Sequence, residues 1–494
     1  MGSDFTPYRD RIIGNGVRYK TPYGEQELLY ADWTASGRLY GPIEDFLRDR
    51  LGPLVANTHT ETSFAGSVMT SAYHEARSIL KRHVRAGPTD VLLFCGYGMT
   101  SAVSKLQRIL GLRVPETLCS RESCWGSDRC ALLGTPKPIV YLTHLEHHSN
   151  QTSWNACCVE VRVVPRGADG LPDQTWLDDD LRQSAGRPLL ASFSACSNVT
   201  GVKTPYPQLT RLVHQHGGLC FVDFAASAPY VDIDLDPADS HVRPDAIFFS
   251  PHKFLGGPGS SGVLIFDRSL YRNQVPDQPG GGTVLWTNPW GEQSYYDDIE
   301  LREDGGTPGF LQAMRAALAV LLKEDMGTAA IQEREAVLVR RLLAGLGRDP
   351  ALRILEPELT DRLAIVSFYR PDIHFNLIVR LLSDRFGIQA RGGCSCAGTY
   401  GHILLDVDRL TSRRITESIR HGDLSLKPGW VRISLHPVMT ETEVDRIVDA
   451  VLAIGKHHKT WMQDYRFDPA TAEFRPLTEP NVEVGLRRDF RATC

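Results

Sequence analysis

The chain has no run of 18 apolar residues, so no membrane-crossing helix is expected. Its first residues, Met1-Gly-Ser-Asp-Phe-Thr-Pro-Tyr-Arg9, lack the apolar core of a secretory leader. Excess charge is also missing. The 59 acidic and 54 basic residues leave a formal net charge of −5, which gives no footprint for nucleic acid or an anionic membrane surface. No internal repeat and no low-complexity tract is present, which argues against a solenoid or a linker-rich chain. The eleven cysteines follow no framework of spacings, so a disulfide scaffold is excluded and reduced thiols in a cytoplasmic setting are expected. Cys119, Cys124 and Cys130 lie close together, but not at zinc-ribbon spacing, and no metal is expected.

What remains is a globular composition, 42% hydrophobic and 23% charged. A chain of 494 residues exceeds one ordinary core and suits a large domain with a smaller one. Short apolar runs alternate with helical stretches from about residue 90 to 270. They are Asp90-Val-Leu-Leu-Phe-Cys95, Pro138-Ile-Val-Tyr-Leu-Thr143, Val159-Glu-Val-Arg-Val-Val164, Pro188-Leu-Leu-Ala-Ser-Phe193, Gly218-Leu-Cys-Phe-Val-Asp223 and Ala246-Ile-Phe-Phe-Ser250. This pattern predicts an α/β domain whose largely parallel sheet is covered on both faces. Ligands bind such sheets at the carboxyl ends of the strands. After about residue 312 the pattern changes to long amphipathic helices and shorter strands, as a smaller α+β domain requires. Thr440-Glu-Thr-Glu443 opens one of these helices with a capping pattern. The predicted boundaries are 28–315 for the large domain, 1–27 with 316–455 for the small one, and 456–494 for a C-terminal extension.

Two residues at predicted strand ends carry chemistry. Lys253 follows an apolar strand in Ser250-Pro-His-Lys253, and a glycine-rich turn leads from it into a second apolar run. A lysine desolvated on a tight turn is a nucleophilic amine, suited to hold pyridoxal phosphate (PLP) as an imine. Asp223 closes the strand thirty residues upstream. A carboxylate there keeps the pyridine nitrogen of PLP protonated, which the electron sink needs. A surface lysine on a turn and an aspartate helix cap are the plainer readings of each residue alone. Their pairing on successive strands favours the site.

These segments resemble the class V aminotransferase superfamily of PLP fold type I, particularly its cysteine desulfurase and selenocysteine lyase branch. The likeness runs from about residue 28 to about 455. It implies a mixed, mostly parallel seven-stranded sheet in the large domain. Thr143-His-Leu-Glu-His-His-Ser-Asn150 is similar to the family's Glu-His-His-Ala-Asn segment, which makes His147 the ring that stacks on PLP and moves protons. Phe94-Cys-Gly-Tyr-Gly-Met-Thr100 resembles the phosphate loop, with Gly98, Met99 and Thr100 at a helix N-terminus. Ser250 and His252 resemble further phosphate contacts. Gly305-Gly-Thr-Pro308 resembles the loop whose threonine, here Thr307, reaches the phosphate of a partner subunit, which implies a homodimer with shared sites. Asn198 matches an asparagine near the cofactor's phenolic oxygen and the substrate carboxylate. Arg432 resembles the arginine that clamps that carboxylate, as a planar guanidinium does well, and Arg391 is a second candidate.

Arg391-Gly-Gly-Cys-Ser-Cys396 resembles the family's Arg-Thr-Gly-x-x-Cys loop, which makes Cys396 the persulfide carrier. A cysteine on a glycine-rich loop near arginines is exposed and favoured as the thiolate. Cys394 is a candidate resolving partner. The resemblance implies a cysteine desulfurase that leaves alanine, with an acceptor protein for the sulfur. Two departures bear on the reaction. Ala226 stands where the family carries glutamine, and Met99 where it often carries threonine. A C–S lyase on cysteine S-conjugates, a decarboxylating or oxidative enzyme, an aminotransferase or an epimerase of the same fold stays open, as does a non-catalytic sulfur-transfer scaffold.

Overall fold

The computed structural model describes residues 4–115 and 136–478. Met1-Gly-Ser and the cysteines at 119, 124, 130 and 494 lie outside the described residues. The chain divides into two compact units, one of Thr34–Asn198 with Val202–Gln332, the other of Met1–Trp33, Val199–Gly201 and Glu333–Cys494. No described helix is long and apolar enough to cross a membrane.

The larger unit is organised by the expected seven-stranded sheet. Its strands are β1 (Asp90–Cys95), β2 (Ile139–Thr143), β3 (Glu160–Val164), β4 (Leu189–Ser194), β5 (Leu219–Asp223), β6 (Ala246–Phe249) and β7 (Gly262–Asp267). They lie in the order β1-β7-β6-β5-β4-β2-β3. The pairs from β6 to β3 are parallel, and β7 runs antiparallel to both β1 and β6. Side chains alternate between two cores, as period two requires. Leu92, Tyr141, Ala191, Val222 and Ile247 face one, while Leu93, Leu142, Leu190, Phe221 and Phe248 face the other. Both faces of the inner strands are dry, which explains why they read as apolar runs, whereas the edge strand β3 is half-exposed and alternates. The long α1 (Phe64–His83) packs on α4 (Phe310–Met326) through Met69, Tyr73, Ala76, Ala313 and Ala317.

This topology has one consequence for chemistry. Strands β1, β2, β4, β5 and β6 all end at the same edge. The segments that follow them carry Gly98, His147, Asn198 and Lys253, while Asp223 is the last residue of β5.

The smaller unit holds a four-stranded antiparallel sheet of β8 (Arg353–Ile354), β9 (Ile365–Tyr369), β10 (Arg391–Gly393) and β11 (Trp430–Ser434), ordered β8-β9-β11-β10. Helix α5 (Phe375–Phe386) stops at Gly387, whose φ is +73°. A Cβ there would sit 2.1 Å from the Glu27 carbonyl oxygen, so only glycine lets the chain enter the parallel pairing of Ile388 with Leu29. Helix α6 (Glu441–Trp461) opens with the Thr440/Glu443 capping box expected from sequence. The segment after it forms a hairpin of Tyr465–Asp468 and Glu473–Pro476, and sequence patterning did not reveal it. Phe467 and Phe474 of this hairpin pack together and flank His374 at the start of α5.

Candidate active site

In the larger unit, the loop after β1 turns at Gly96 and Gly98 into α2 (Met99–Ile109). Gly98 has φ +148°, and a Cβ at that position would meet the His252 ring at 3.0 Å and Ser250 Oγ at 3.1 Å. Glycine therefore brings the helix N-terminus against the Ser250-Pro-His-Lys253 turn. Ser250 Oγ accepts the Met99 N–H at 2.9 Å. Met99 thus contributes through its amide, while its buried side chain belongs to the core. Burial and the neighbouring Lys253 charge push His252 down to about 4. The result is a cluster of backbone amide, hydroxyl and neutral imidazole at a helix N-terminus, an arrangement that attracts a phosphate group. Thr100 Oγ1 and Ser149 Oγ lie 2.7 Å apart, so the β1 loop is tied to the β2 loop.

Asp223 is buried at the end of β5 and paired across the sheet with Ser194 and Phe248. Its Oδ1 accepts the Ala225 N–H at 2.7 Å. Burial raises its pKa to about 7, against the opposing effects of that bond and of the Lys253 charge. A buried carboxylate of this kind gains most from a cation, such as a protonated pyridine nitrogen. Lys253 ends a short 3₁₀ turn and is half-buried instead of fully desolvated.

His147 is the N-cap of α3 (His148–Asn155), and its Nδ1 accepts the Ser149 N–H at 3.1 Å. The neutral ring therefore carries its proton on Nε2. The neighbouring Glu146 went unremarked in the sequence. Fully buried, it accepts from Thr143 Oγ1 at 2.6 Å, Asn150 Nδ2 at 2.7 Å, Ser194 Oγ at 2.6 Å and the Ser194 N–H at 3.0 Å. One carboxylate thus locks the His147 turn to β4. Burial raises its pKa while these bonds oppose the rise. An acid at the heart of an apolar strand-to-helix turn was the available signal. Asn198 is buried on a turn closed by Ser197 N–H to the Val202 carbonyl at 2.9 Å. Thr307 lines a cavity of about 600 Å³ together with Tyr97, Thr100, Arg108 and Glu303.

The smaller unit holds the other candidates. Arg391 on β10 and Arg432 on β11 are direct cross-strand partners. Like charges in that relation repel. Asp32 answers the repulsion: its Oδ1 accepts from Arg432 Nη2 at 2.6 Å and its Oδ2 from Arg391 Nε at 3.0 Å. The Arg432 side chain is 3% exposed and that of Arg391 46%. Asp32 also went unremarked in the sequence, although it is a lone acid closing Leu28-Leu-Tyr-Ala-Asp32. Beyond β10 the Ala397 N–H bonds the Cys394 carbonyl at 3.0 Å. Between them Ser395 and Cys396 have φ of +48° and +58°. Such values at both central positions belong to a type I′ turn, and are uncommon without glycine. Ser395 points inward, where its Oγ accepts the buried Trp430 indole N–H at 3.1 Å. Cys396 is exposed, Cys394 half-buried, and Cys396 lies close enough to influence the Arg432 charge. All seven described cysteines are free thiols.

A seven-stranded mixed sheet with a phosphate-type helix N-terminus, an acid at one strand end and a lysine after the next defines PLP fold type I. The profile of the family described as Aminotransferase class-V matches residues 131–447, and the chain belongs to that family, whose members are PLP enzymes. Among curated proteins, it is 26% identical over 432 residues to a probable cysteine desulfurase of Halobacterium salinarum, covering 87% of this chain and 92% of that one. It is 26% identical over 374 residues to a probable cysteine desulfurase of Halalkalibacterium halodurans, covering 75% and 84%. Among solved structures, the apo cysteine desulfurase of Thermococcus onnurineus NA1 superposes with a TM-score of 0.70 at 21% identity, covering 92% of this chain and all of that one. A cysteine desulfurase of Escherichia coli gives 0.69 at 20% identity, covering 92% and 99%.

Proposed function

We propose that this chain is a cysteine desulfurase: it acts on the Cβ–S bond of L-cysteine, leaves alanine, and takes the sulfur onto Cys396. The observation that carries this reading is Cys396 itself, displayed on a strained turn and within electrostatic reach of the buried Arg432. The curated relatives named as probable cysteine desulfurases support it.

When bound, PLP supplies an electron sink conjugated to the substrate Cα. The chain's own residues do the rest. Lys253 would hold the cofactor covalently, with Asp223 at its ring nitrogen. Gly98, Met99, Thr100, Ser250 and His252 would hold its phosphate. His147, oriented by Glu146 and Ser149, would move a proton at Nε2. Asn198 and Arg432, with Arg391 nearby, orient the substrate carboxylate. The Cys396 thiolate then attacks the substrate sulfur. An S–S bond forms, the Cβ–S bond breaks with its electron pair on carbon, and protonation completes alanine. The persulfide on the exposed Cys396 passes its outer sulfur to an acceptor protein. The working form is a homodimer in which Thr307 reaches the partner's phosphate. Thr307 on an open cavity, beside a Tyr97 that is 91% exposed, supports this.

A second reading is favoured by one feature. Ala226 sits in the buried turn after Asp223, and the Ser227 hydroxyl is spent on the Phe224 carbonyl at 3.4 Å, so neither offers the donor that glutamine provides in relatives. A C–S lyase of the same fold would leave pyruvate and ammonia. Incubation of the PLP-loaded protein with L-cysteine separates the two. Alanine in the wild type and none in Cys396→Ala is expected. Pyruvate from both proteins would favour the lyase.

A further inference from the structure

We propose that Lys323, a buried amine outside the candidate catalytic set, is a positioning residue for the cofactor. Its ammonium fixes the turn that begins at Asp223 and so decides how firmly the ring nitrogen keeps its proton. The inference rests on the reading of Asp223 and Lys253 as the cofactor's partners.

Lys323 lies on α4 and is 3% exposed. Burying an ammonium is costly unless it is paired. Among the described residues no carboxylate forms an ion pair with it, and Asp232 and Glu324 act on it only from further away. Its three N–H donors go elsewhere. One reaches the Ala228 carbonyl at 2.8 Å, one the Val231 carbonyl, and one His83 Nε2 at 3.3 Å. His83 ends α1, and its Nδ1 lies 2.8 Å from Glu324 Oε1. Burial and the Lys323 charge lower the His83 pKa. The neutral ring therefore donates to Glu324 from Nδ1 and accepts from the lysine at Nε2. Burial lowers the pKa of Lys323 itself to about 8, which leaves it charged at neutral pH.

The two carbonyls belong to the turn that follows Asp223. At its start the Asp223 Oδ1 accepts the Ala225 N–H at 2.7 Å, and the Phe224 N–H bonds the Phe248 carbonyl at 2.9 Å. The Ser227 and Ala228 N–H groups then bond the Phe224 carbonyl, and those of Tyr230 and Val231 bond the Ser227 carbonyl. Lys323 caps the far end, as a cation caps the last carbonyls of a helix. The turn is thus held at one end by the carboxylate and at the other by the lysine. The same ammonium lies 5.9 Å from the ring centre of Phe254, the residue after Lys253. One buried charge therefore touches the segments that follow both cofactor residues. An apolar side chain would fill this space at less cost, so packing alone does not account for a lysine here.

The test titrates the PLP-loaded wild type, Lys323→Met, Asp223→Asn and the double variant with base, and reads the pH midpoint of the cofactor absorbance. A ring nitrogen that holds its proton less firmly withdraws fewer electrons, so the imine nitrogen becomes more basic and the midpoint rises. Asp223→Asn is expected to raise it most. Lys323→Met is expected to raise it by about half a pH unit to one unit, roughly threefold to tenfold in proton affinity. The double variant should match Asp223→Asn alone, because a residue that acts through another adds nothing once that other is gone. A wild-type midpoint in Lys323→Met would overturn the proposal and leave the lysine as a brace of the fold, whatever the melting temperature does. So would a Lys323→Met shift that adds in full to that of Asp223→Asn. Should Lys323→Met fail to fold, Lys323→Gln, which keeps a donor for the carbonyls without the charge, is read against the same outcomes. A wild-type midpoint in Asp223→Asn is a separate result, and would remove the ring-nitrogen reading itself.

Discussion

The phosphate cradle of the larger unit and the Cys394–Ala397 turn of the smaller one both bend the chain through positive φ, but they solve different problems. The cradle uses glycine at its unusual positions, Gly96 and Gly98. A Cβ is in the way at both, meeting the Ser101 side chain at Gly96 and the Ser250–Lys253 turn at Gly98. The turn places Ser395 and Cys396 in the left-handed region with their side chains kept. Each costs on the order of 1–3 kcal/mol of backbone strain. The expense is tolerated because the side chains are the point: one anchors to Trp430 and the other is the thiol on display. On the proposed function, deleting a Cβ serves binding by backbone, and keeping one under strain serves chemistry by side chain.

The comparison breaks most visibly if the functional atoms are exchanged for inert ones. Lys253→Ala should abolish the covalent chromophore and lower alanine formation on the order of a thousandfold or more. Cys396→Ser should leave the chromophore intact while lowering alanine formation on the order of a hundredfold, because an alcohol is a far poorer nucleophile than a thiolate. Absorbance spectra and alanine assays on the same preparations test both. A Cys396→Ser protein without its chromophore would show that the turn is part of cofactor binding.

Gly98→Ala sharpens the contrast from the other side. The added methyl meets the His252 ring and Ser250 Oγ at 3.0 and 3.1 Å, at a φ that alanine rarely adopts. PLP affinity should fall roughly tenfold to a hundredfold with little change at Cys396, since a helix N-terminus binds phosphate only when the backbone can approach it. Equilibrium titration of the cofactor-free protein measures this, and unchanged affinity would remove the glycine argument.

Most of this cradle was legible in the sequence. Unbroken apolar runs ending in polar residues mark buried parallel strands, and the topology rule puts their ends together. That logic placed Asp223 and Lys253 at strand ends, while His147 and Gly98 came from the resemblance of their segments to the class V family. Glu146 and Asp32 were not legible in the same way. Each has partners far away in sequence, Ser194 for Glu146 beside the local Thr143 and Asn150, and the two arginines for Asp32. An acid inside a turn reads as solvated until its partners are known. The Tyr465–Pro476 hairpin escaped because a two-stranded ribbon of short, charged strands has weak alternation. The positive φ of Ser395 and Cys396 escaped because no glycine marks it.

Asp223 offers a pH test of the cradle. Its folded pKa, about 7, lies above the ordinary aspartate range. The stability it contributes to the cofactor-free protein is therefore fully present below about pH 4 and is lost as pH rises through about 7. The loss is on the order of a few kcal/mol at most. His252 and His436, held low at about 4 and about 3 by burial, act in the opposite sense, so the difference between wild type and Asp223→Asn is the quantity to follow. Between pH 5 and pH 8 the wild type should lose melting temperature relative to Asp223→Asn without cofactor, and the loss should shrink with PLP bound. A flat difference would mean that the carboxyl is not desolvated as the structure implies.

The smallest effect concerns the turn itself. Ser395→Gly relieves the left-handed strain at one position, a gain of about 1–2 kcal/mol. It also removes the acceptor of the Trp430 indole N–H, in a residue with no exposed surface, and an unsatisfied buried donor costs about 1–3 kcal/mol. The two nearly cancel, so the melting temperature should fall by no more than about a degree or two. Alanine formation should nonetheless drop severalfold, because a glycine there frees the backbone that aims Cys396. If Ser395→Gly instead melts higher and turns over at the wild-type rate, the strain serves no display of the thiol, and the turn is only a tight connection between β10 and the helix Gly398–Leu404.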